Sequence, residues 1–212
     1  MQKLPFLTNL FQKKHWTGLQ DIAQAAGYTF KASIHLHHLP YYGLNQPNWT
    51  KLNIDGDFNN LNQDVGIGGI LRNEQGDTLW AFSGPFPQCH NPLAAECQAL
   101  AISLQLIIPW DTSHLCIETD STTLCTTIKN KLPRHWSIKG GLTIVHNSLK
   151  NRTFSISHVY REGNRVADKI ANIGIVSQQL VQYNNDTLPL VVKGLARMDQ
   201  LVFPSFRIVQ RN

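Results

Sequence analysis

The sequence lacks the features of a membrane protein and of a disulfide-rich secreted protein. No run of about eighteen apolar residues occurs among its 212 residues, which excludes a spanning helix and predicts no membrane partner. Only four residues are cysteine and none are spaced as CxxC, which excludes a zinc ribbon and a thioredoxin-like redox site. Four cysteines in this length do not make a disulfide scaffold, so we expect reduced thiols and a reducing compartment, the nucleus or cytoplasm.

The N-terminal segment has no clear structural pattern. Its opening residues, MQKLPFLTNLFQKK, have no continuous apolar core of the kind that a secretory signal needs. Residues 1–50 hold four lysines and one acidic residue, which leaves import into an organelle as an alternative localisation. We interpret residues 1–48 as an extension or linker, because residues 31–48 mix His, Pro, Tyr and Asn without a period.

Charge is sparse and unevenly distributed. Charged residues are 16% of the chain and hydrophobic residues 42%, which favours a folded core over disorder. The net charge is +5, but it is not evenly spread. Residues 51–120 hold nine acidic and two basic side chains, whereas residues 121–174 hold nine basic and two acidic side chains. Two interpretations stay open: two solvated faces, or a metal-binding part beside a phosphate-binding part.

Hydrophobic periodicity predicts a mixed α/β domain. Three strands separated by short, turn-like segments suggest an antiparallel meander, after which helical spacing begins at Asn91-Pro92. The predicted order is β-β-β-α-β-α-α-β-α. Residues 179–212 have apolar patches and two prolines, and we treat them as a C-terminal extension. The predicted elements are strands at 51–58, 65–72, 78–84, 114–119 and 154–160, and helices that begin near residues 92, 121, 138 and 164.

Four acidic residues stand in unusual surroundings: Asp55 in the first strand, Glu96 among alanines, Asp120 at a strand end, and Asp168 on an apolar helix. Buried charges are costly unless they are paired or bind a metal. If the four converge, oxygen ligands of this kind select Mg²⁺ or Mn²⁺. Taken singly, each has an ordinary structural explanation; Asp120, for instance, could simply cap the next helix.

The motifs NIDG, AAE, TDS and NRVAD, in this order and on these elements, resemble ribonuclease H type 1. The runs WTKLNIDG and HVYREGNRVADKIAN are most similar to the plant branch, which is related to the reverse-transcriptase tails of non-LTR retroelements. The resemblance covers about residues 49–176, and we place the domain at 49–178. It implies a five-stranded mixed sheet, three strands antiparallel and two parallel, with helices on both faces.

The resemblance also implies an activity, the cleavage of the RNA strand of an RNA–DNA hybrid. The family uses two Mg²⁺ ions, with Mn²⁺ as a substitute, to activate water and to stabilise the leaving 3′-oxygen. By resemblance, Asp55, Glu96, Asp120 and Asp168 are the catalytic metal ligands, and the backbone carbonyl of Gly56 is a further ligand. Asp168 would hold the ion on the side of the attacking water.

Polar and basic residues near these acids are candidates for substrate binding. Recognition of the 2′-hydroxyl in a wide minor groove would fall to Asn91, Ser121, Thr122 and Asn164; as single residues they could equally be helix caps. Contact with DNA phosphates would fall to the cluster Lys129, Lys131, Arg134 and Trp136. A solvated cluster with Trp136 as a plug of the core is the alternative.

One departure from the family's pattern bears on the expected rate of catalytic turnover. Many bacterial members have a flexible histidine in the loop before the last helix, but here that loop is only REGN, residues 161–164. His158 lies in the preceding strand, where a structural role is expected. Two rival functions therefore stay open: a catalytically weak, retroelement-derived domain that binds nucleic acid, and a nuclease of this fold with another substrate. The sequence indicates no protein partner.

Overall fold

Alternating apolar residues and close-packed glycines build a mixed sheet in the middle of the chain. The structure, a computed structural model, describes residues 28–29, 47–59, 64–87, 89, 91–130, 136–201 and 209–210. Its elements are β1 (Tyr28–Thr29), β2 (Thr50–Phe58), β3 (Val65–Arg72), β4 (Thr78–Pro85), α1 (Pro92–Leu106), β5 (His114–Thr119), α2 (Thr122–Asn130), α3 (Lys139–Leu149), β6 (Thr153–His158), α4 (Arg165–Val176), β7 (Val181–Tyr183), α5 (Leu190–Gln200) and β8 (Val209–Gln210).

The chain divides into two units, residues 1–37 with 204–212, and residues 38–203. In the first unit, the described residues form one short antiparallel pair, β1 with β8. The second unit holds the other elements. Two single-turn 3₁₀ helices, Trp136–Ile138 and Arg161–Gly163, precede α3 and α4.

The second unit contains a six-stranded sheet in the order β6-β5-β2-β3-β4-β7. Strands β2, β3 and β4 are antiparallel neighbours, and β5 and β6 are parallel to β2. This confirms the predicted fold class, three antiparallel and two parallel strands, with one correction to the strand count. The additional strand is β7, which pairs with β4 at the edge and comes from the segment that we treated as a C-terminal extension.

The two faces of the sheet bury different kinds of residue. On β2, Leu52 and Ile54 join the larger apolar cluster, which includes residues of α1, α2 and α3. The alternate residues of the strand point the other way, because successive side chains of a strand face opposite sides. The opposite face has a smaller apolar cluster that includes Ile70 of β3, Ile170 of α4 and Val192 of α5. The predicted helices on both faces are therefore present.

Glycines in β3 let α4 lie directly against the sheet. A methyl group on Gly68 would come within 2.6 Å of the backbone nitrogen of Ala171, and one on Gly66 would overlap the backbone of α4 as well. β3 is buried along its whole length. Within the described part of the chain, no helix is long and apolar enough to cross a bilayer.

Replacing Gly68 with alanine should therefore destabilise the fold. The added methyl group meets backbone rather than the end of a flexible side chain, so the expected loss is about 1–3 kcal/mol of unfolding free energy. Urea denaturation followed by circular dichroism measures it. Gly140→Ala is the matched control, because nothing lies within 4 Å of that position on α3 and its stability should be unchanged or higher. Equal midpoints for the two variants would contradict the prediction.

Candidate functional site

Three carboxylates meet at one end of the central strands. Asp55 lies on β2, Glu96 on α1, and Asp120 directly follows β5. One oxygen of each lies within 4.8 Å of the others, and Asp55 and Glu96 are buried. The parallel register pairs Asn53 with Glu118, and Asp55 and Asp120 each follow two residues later in the chain, so the pairing brings them side by side. Sheet pairing thus brings together two acids that are far apart in the sequence.

Glu96 reaches this site because α1 lies very close to β2. A methyl group on Gly56 would overlap the backbone of Ala95 and Glu96. The helix begins at a capped end, where the side chain of Asn91 accepts a hydrogen bond of 2.9 Å from the backbone N–H of Ala94. The hydroxyl of Thr119 donates to Oε2 of Glu96 at 3.0 Å, which orients the carboxylate.

The electrostatics of this cluster favour a positive ligand. Burial raises the pKa of Asp55 well above its ordinary value, and the neighbouring carboxylates of Asp120 and Asp168 raise it further. Burial is the largest cause that raises the pKa of Glu96 to about 10, and repulsion from Asp55 and Asp120 is the next largest. Arg161 opposes the shift at Asp55 without cancelling it. Buried carboxylates that repel one another are the donor set that a hard divalent cation would stabilise.

The fourth predicted carboxylate lies beside this group. Asp168 is in the first turn of α4 and 28% of its side chain is exposed. Its Oδ1 accepts hydrogen bonds from Arg161, 2.9 Å from Nη2 and 3.2 Å from Nε. Because Asp168 raises the pKa of Asp55, the two carboxylates interact. The structure therefore groups three of the four predicted ligands and places the fourth nearby, in an ion pair.

Sequence reasoning missed two charged residues at this site. Arg161, on the 3₁₀ turn before α4, holds Asp168, and its role depends on a loop geometry that sequence patterns do not give. Asp57 lies two residues after Asp55 on β2, hence on the same face; burial and the charge of Asp168 raise its pKa. The alternation of β2 could have identified Asp57, whereas no sequence signal marks Arg161.

The predicted substrate-binding residues occupy several positions. Asn91 and Ser121 have capping hydrogen bonds, to the N–H of Ala94 and of Leu124 respectively. Thr122 and Lys129 are exposed on α2. Contact of these residues with nucleic acid, and ligation by the carbonyl of Gly56, stay predictions. Two further candidates, Lys131 and Arg134, lie outside the described residues.

Trp136 is 75% exposed, so it does not plug the core as one interpretation held. It lines a cavity of about 300 Å³ between α1 and the start of α3. The cavity also includes Ala94, two residues before Glu96. An exposed aromatic ring beside a groove suits stacking with the bases of a nucleic acid.

Asn164 is almost completely buried, at 1% exposure. Its Nδ2 donates to the carbonyl of Ile54 at 2.9 Å, and its Oδ1 accepts from Asn53 at 3.2 Å. Its expected contact with the 2′-hydroxyl stays a prediction, and both of these hydrogen bonds join parts of the protein to one another.

A family model described as reverse transcriptase-like matches residues 53–174, more than half of the chain. The chain belongs to the reverse transcriptase-like family. The match includes all four predicted ligands. It ends before β7 and α5, which therefore lie outside the matched region.

Solved structures agree on a ribonuclease H type 1 fold. RNase H1 from the halophilic archaeon Halobacterium salinarum is 18% identical, with a TM-score of 0.54 over 59% of this chain and 96% of its own. LC11-RNase H1, solved in complex with an RNA/DNA hybrid, is 20% identical with the same TM-score and the same coverage. The N-terminal RNase H domain of rv2228c from Mycobacterium tuberculosis is 16% identical, with a TM-score of 0.55 over 59% of this chain and 92% of its own. No curated protein matches the chain significantly.

The raised pKa of Glu96 predicts how stability depends on pH in the metal-free protein. Between the ordinary value of 4.5 and about 10, the folded protein keeps a proton that the unfolded chain has released. Stability should therefore fall as pH rises through this range. Melting temperatures at pH 5, 7 and 9 in EDTA measure the fall, which should be smaller in Glu96→Gln. Glu74→Gln, in the turn between β3 and β4, should keep the wild-type dependence. An equally steep fall of the melting temperature in the Glu96→Gln variant would show that other groups cause the pH dependence of stability.

The ion pair of Arg161 with Asp168 predicts a competition with metal. Replacing Arg161 with glutamine frees the carboxylate and removes a positive charge near Asp55. The Mg²⁺ concentration for half-saturation should fall about 1.4- to 5-fold, the range for an ion pair worth about 0.2–1 kcal/mol at an exposed site. Isothermal titration without nucleic acid measures it. Arg197→Gln, on the exposed part of α5, changes the net charge equally and should not alter the affinity. Unchanged or weaker binding in Arg161→Gln would refute the competition.

Proposed function

We propose that this protein is a Mg²⁺-dependent endoribonuclease that hydrolyses the RNA strand of RNA–DNA hybrids. The observation that carries the proposal is the convergence of Asp55, Glu96 and Asp120 within 4.8 Å, at the positions of the family's motifs. Family membership supports the reaction class, and the solved complex of LC11-RNase H1 with an RNA/DNA hybrid supports the substrate class.

The residues present fit a divalent cation. Three carboxylates face one another, two of them buried, and their mutual repulsion would be relieved by a positive ion. Oxygen donors without cysteine or histidine favour Mg²⁺ or Mn²⁺ over zinc. Asp55, Glu96 and Asp120 would hold the first ion of the two-ion arrangement; Asp168, with Asp57 beside it, would take part in holding the second. Bound there, Mg²⁺ supplies Lewis acidity toward a phosphodiester and lowers the pKa of water.

The remaining residues of the site would orient the reacting groups. Thr119 keeps Glu96 in position through its hydrogen bond to Oε2. Arg161 is 72% exposed and can turn from Asp168 toward a phosphate oxygen of the substrate, where its guanidinium would donate two hydrogen bonds. No nucleophilic side chain is required, because water attacks the phosphorus and leaves a 5′-phosphate on one product and a 3′-hydroxyl on the other.

Binding of the hybrid would use exposed side chains on the elements around the carboxylates. Trp136 offers a stacking or backbone contact, and Lys129 offers a charge for the phosphates of the DNA strand. Thr122 is exposed at the start of α2, two residues after Asp120, where a contact with the ribose 2′-hydroxyl is geometrically accessible. The shortened loop before α4 carries Arg161 in the region where many bacterial members have a flexible histidine.

Asp120→Asn tests the proposal directly. The substitution keeps the size of the side chain and removes a metal-binding charge, so cleavage of a labelled RNA–DNA hybrid with Mg²⁺ should fall more than about a hundredfold. This exceeds the effect of losing a partner that only supports a ligand, which is about ten- to a hundredfold. Asp186→Asn is the matched control, since Asp186 lies in an exposed turn before α5, and it should cleave at the wild-type rate.

Two outcomes would favour the rival functions. Hybrid binding without cleavage by the wild-type chain, in Mg²⁺ or Mn²⁺, would indicate a catalytically weak binding domain. Cleavage of duplex DNA or of RNA without DNA, at a rate that exceeds hybrid cleavage, would indicate another substrate. The sites of cleavage, mapped on a hybrid labelled in either strand, separate these outcomes.

A further inference from the structure

A chain of buried polar side chains crosses the face of the sheet that packs against α4 and α5. Lys51 and Asn53 of β2 contact Glu118 of β5: Nζ of Lys51 lies 3.0 Å from Oε1, and Nδ2 of Asn53 donates to Oε2 at 3.0 Å. Arg72 of β3 donates from Nη2 to Oδ1 of Asn53 at 2.7 Å. Buried polar groups of this kind require partners, so each side chain constrains the next.

One end of this chain lies at the active site. Asn53 donates to Oδ1 of Asn164, and Asn164 donates to the carbonyl of Ile54, the residue before Asp55. The backbone carbonyl of Asn164 accepts the N–H of Asp168 at 3.0 Å. A single buried asparagine therefore joins the strand that carries Asp55 to the helix turn that carries Asp168.

The other end lies on α5, outside the region that the family model matches. Oδ2 of Asp199 accepts from Nη1 of Arg72 at 3.3 Å, and Oδ1 lies 3.9 Å from Nη2 of Arg165. Arg72 is only 2% exposed, so its charge depends on a buried carboxylate partner. The segment with β7 and α5 thus supplies a counter-charge to a cation of the central sheet.

The chain of hydrogen bonds is directional. A guanidinium only donates, so Arg72 requires the oxygen of the Asn53 amide on its side. The NH₂ group of Asn53 then faces Glu118 and Asn164, both of which present an oxygen. The reverse orientation of the amide would place donor against donor at Arg72 and acceptor against acceptor at Glu118. Fixing Arg72 therefore fixes the orientation of Asn53 and, through it, that of Asn164.

We propose that Asp199 is a positioning residue for the active site, acting through Arg72, Asn53 and Asn164 on the turn that carries Asp168. On this basis, the C-terminal segment contributes to the geometry of the site and also covers the sheet. The consequence for cleavage rests on the proposed function, whereas the structural coupling does not.

The test compares Asp199→Ala with Val192→Ala. Both truncate a side chain of α5 on its packed side, but Val192 belongs to the apolar cluster and is not part of the polar chain. NMR spectra of the metal-free proteins report the side-chain amides of Asn53 and Asn164 and the backbone amide of Asp168. We expect these three signals to shift in Asp199→Ala and to stay in place in Val192→Ala. Asp199→Asn, which keeps an oxygen for Arg72, should shift them less.

Kinetics supply the second measurement, at a temperature where all variants are folded. Asp199→Ala should lower kcat for hybrid cleavage about tenfold, as expected for a residue that supports a ligand, and raise the Mg²⁺ requirement, with KM for the hybrid within twofold. Val192→Ala should keep the wild-type kcat. If Asp199→Ala does not fold, Asp199→Asn against Val192→Ala serves for both measurements.

Two results would overturn the inference: unshifted signals of Asn164 and Asp168 in the Asp199 variant, or equal losses of kcat in the Asp199 and Val192 variants. A wild-type chain that does not cleave hybrids would instead refute the proposed function. In that case the NMR comparison alone still decides whether Asp199 positions the turn of Asp168.

Discussion

The repulsion between carboxylates that converge in a partly buried site is the constraint on which the rest of this structure depends. Asp55, Glu96 and Asp120 lie close enough for one ion to contact all three, and burial raises the pKa of Asp55 and Glu96. Such a cluster lowers the stability of the metal-free fold, so the surrounding packing has to hold it in place. The arrangement is a cost to folding that a divalent cation can offset.

Three features hold the cluster in place. The parallel pairing of β2 with β5 aligns Asp55 and Asp120, and the close approach of α1 at Gly56 brings Glu96 to them. On the other face, the polar chain from Asp199 to Asn164 ties β2 to the first turn of α4. The acids of the site are therefore held from both faces of one sheet, which restricts their motion away from each other.

Much of this was predictable from the sequence, and the failures have physical causes. Strand alternation and helical spacing identified the elements of the family's domain in their correct order, and the motifs identified the three grouped acids. The sixth strand was missed because β7 is only three residues long and depends on pairing with β4. Trp136 was left between two interpretations because one residue next to a helix has no period to show which way it faces.

The sequence by itself determined which residue types are available and the spacing that puts them on strands or helices, since these depend on neighbours within a few positions. Only the tertiary structure decided that Arg161 pairs with Asp168 and that Asp199 meets Arg72 across 127 positions of the chain. These contacts depend on which elements become neighbours in space and on how far each side chain reaches. Local periodicity carries no information about either.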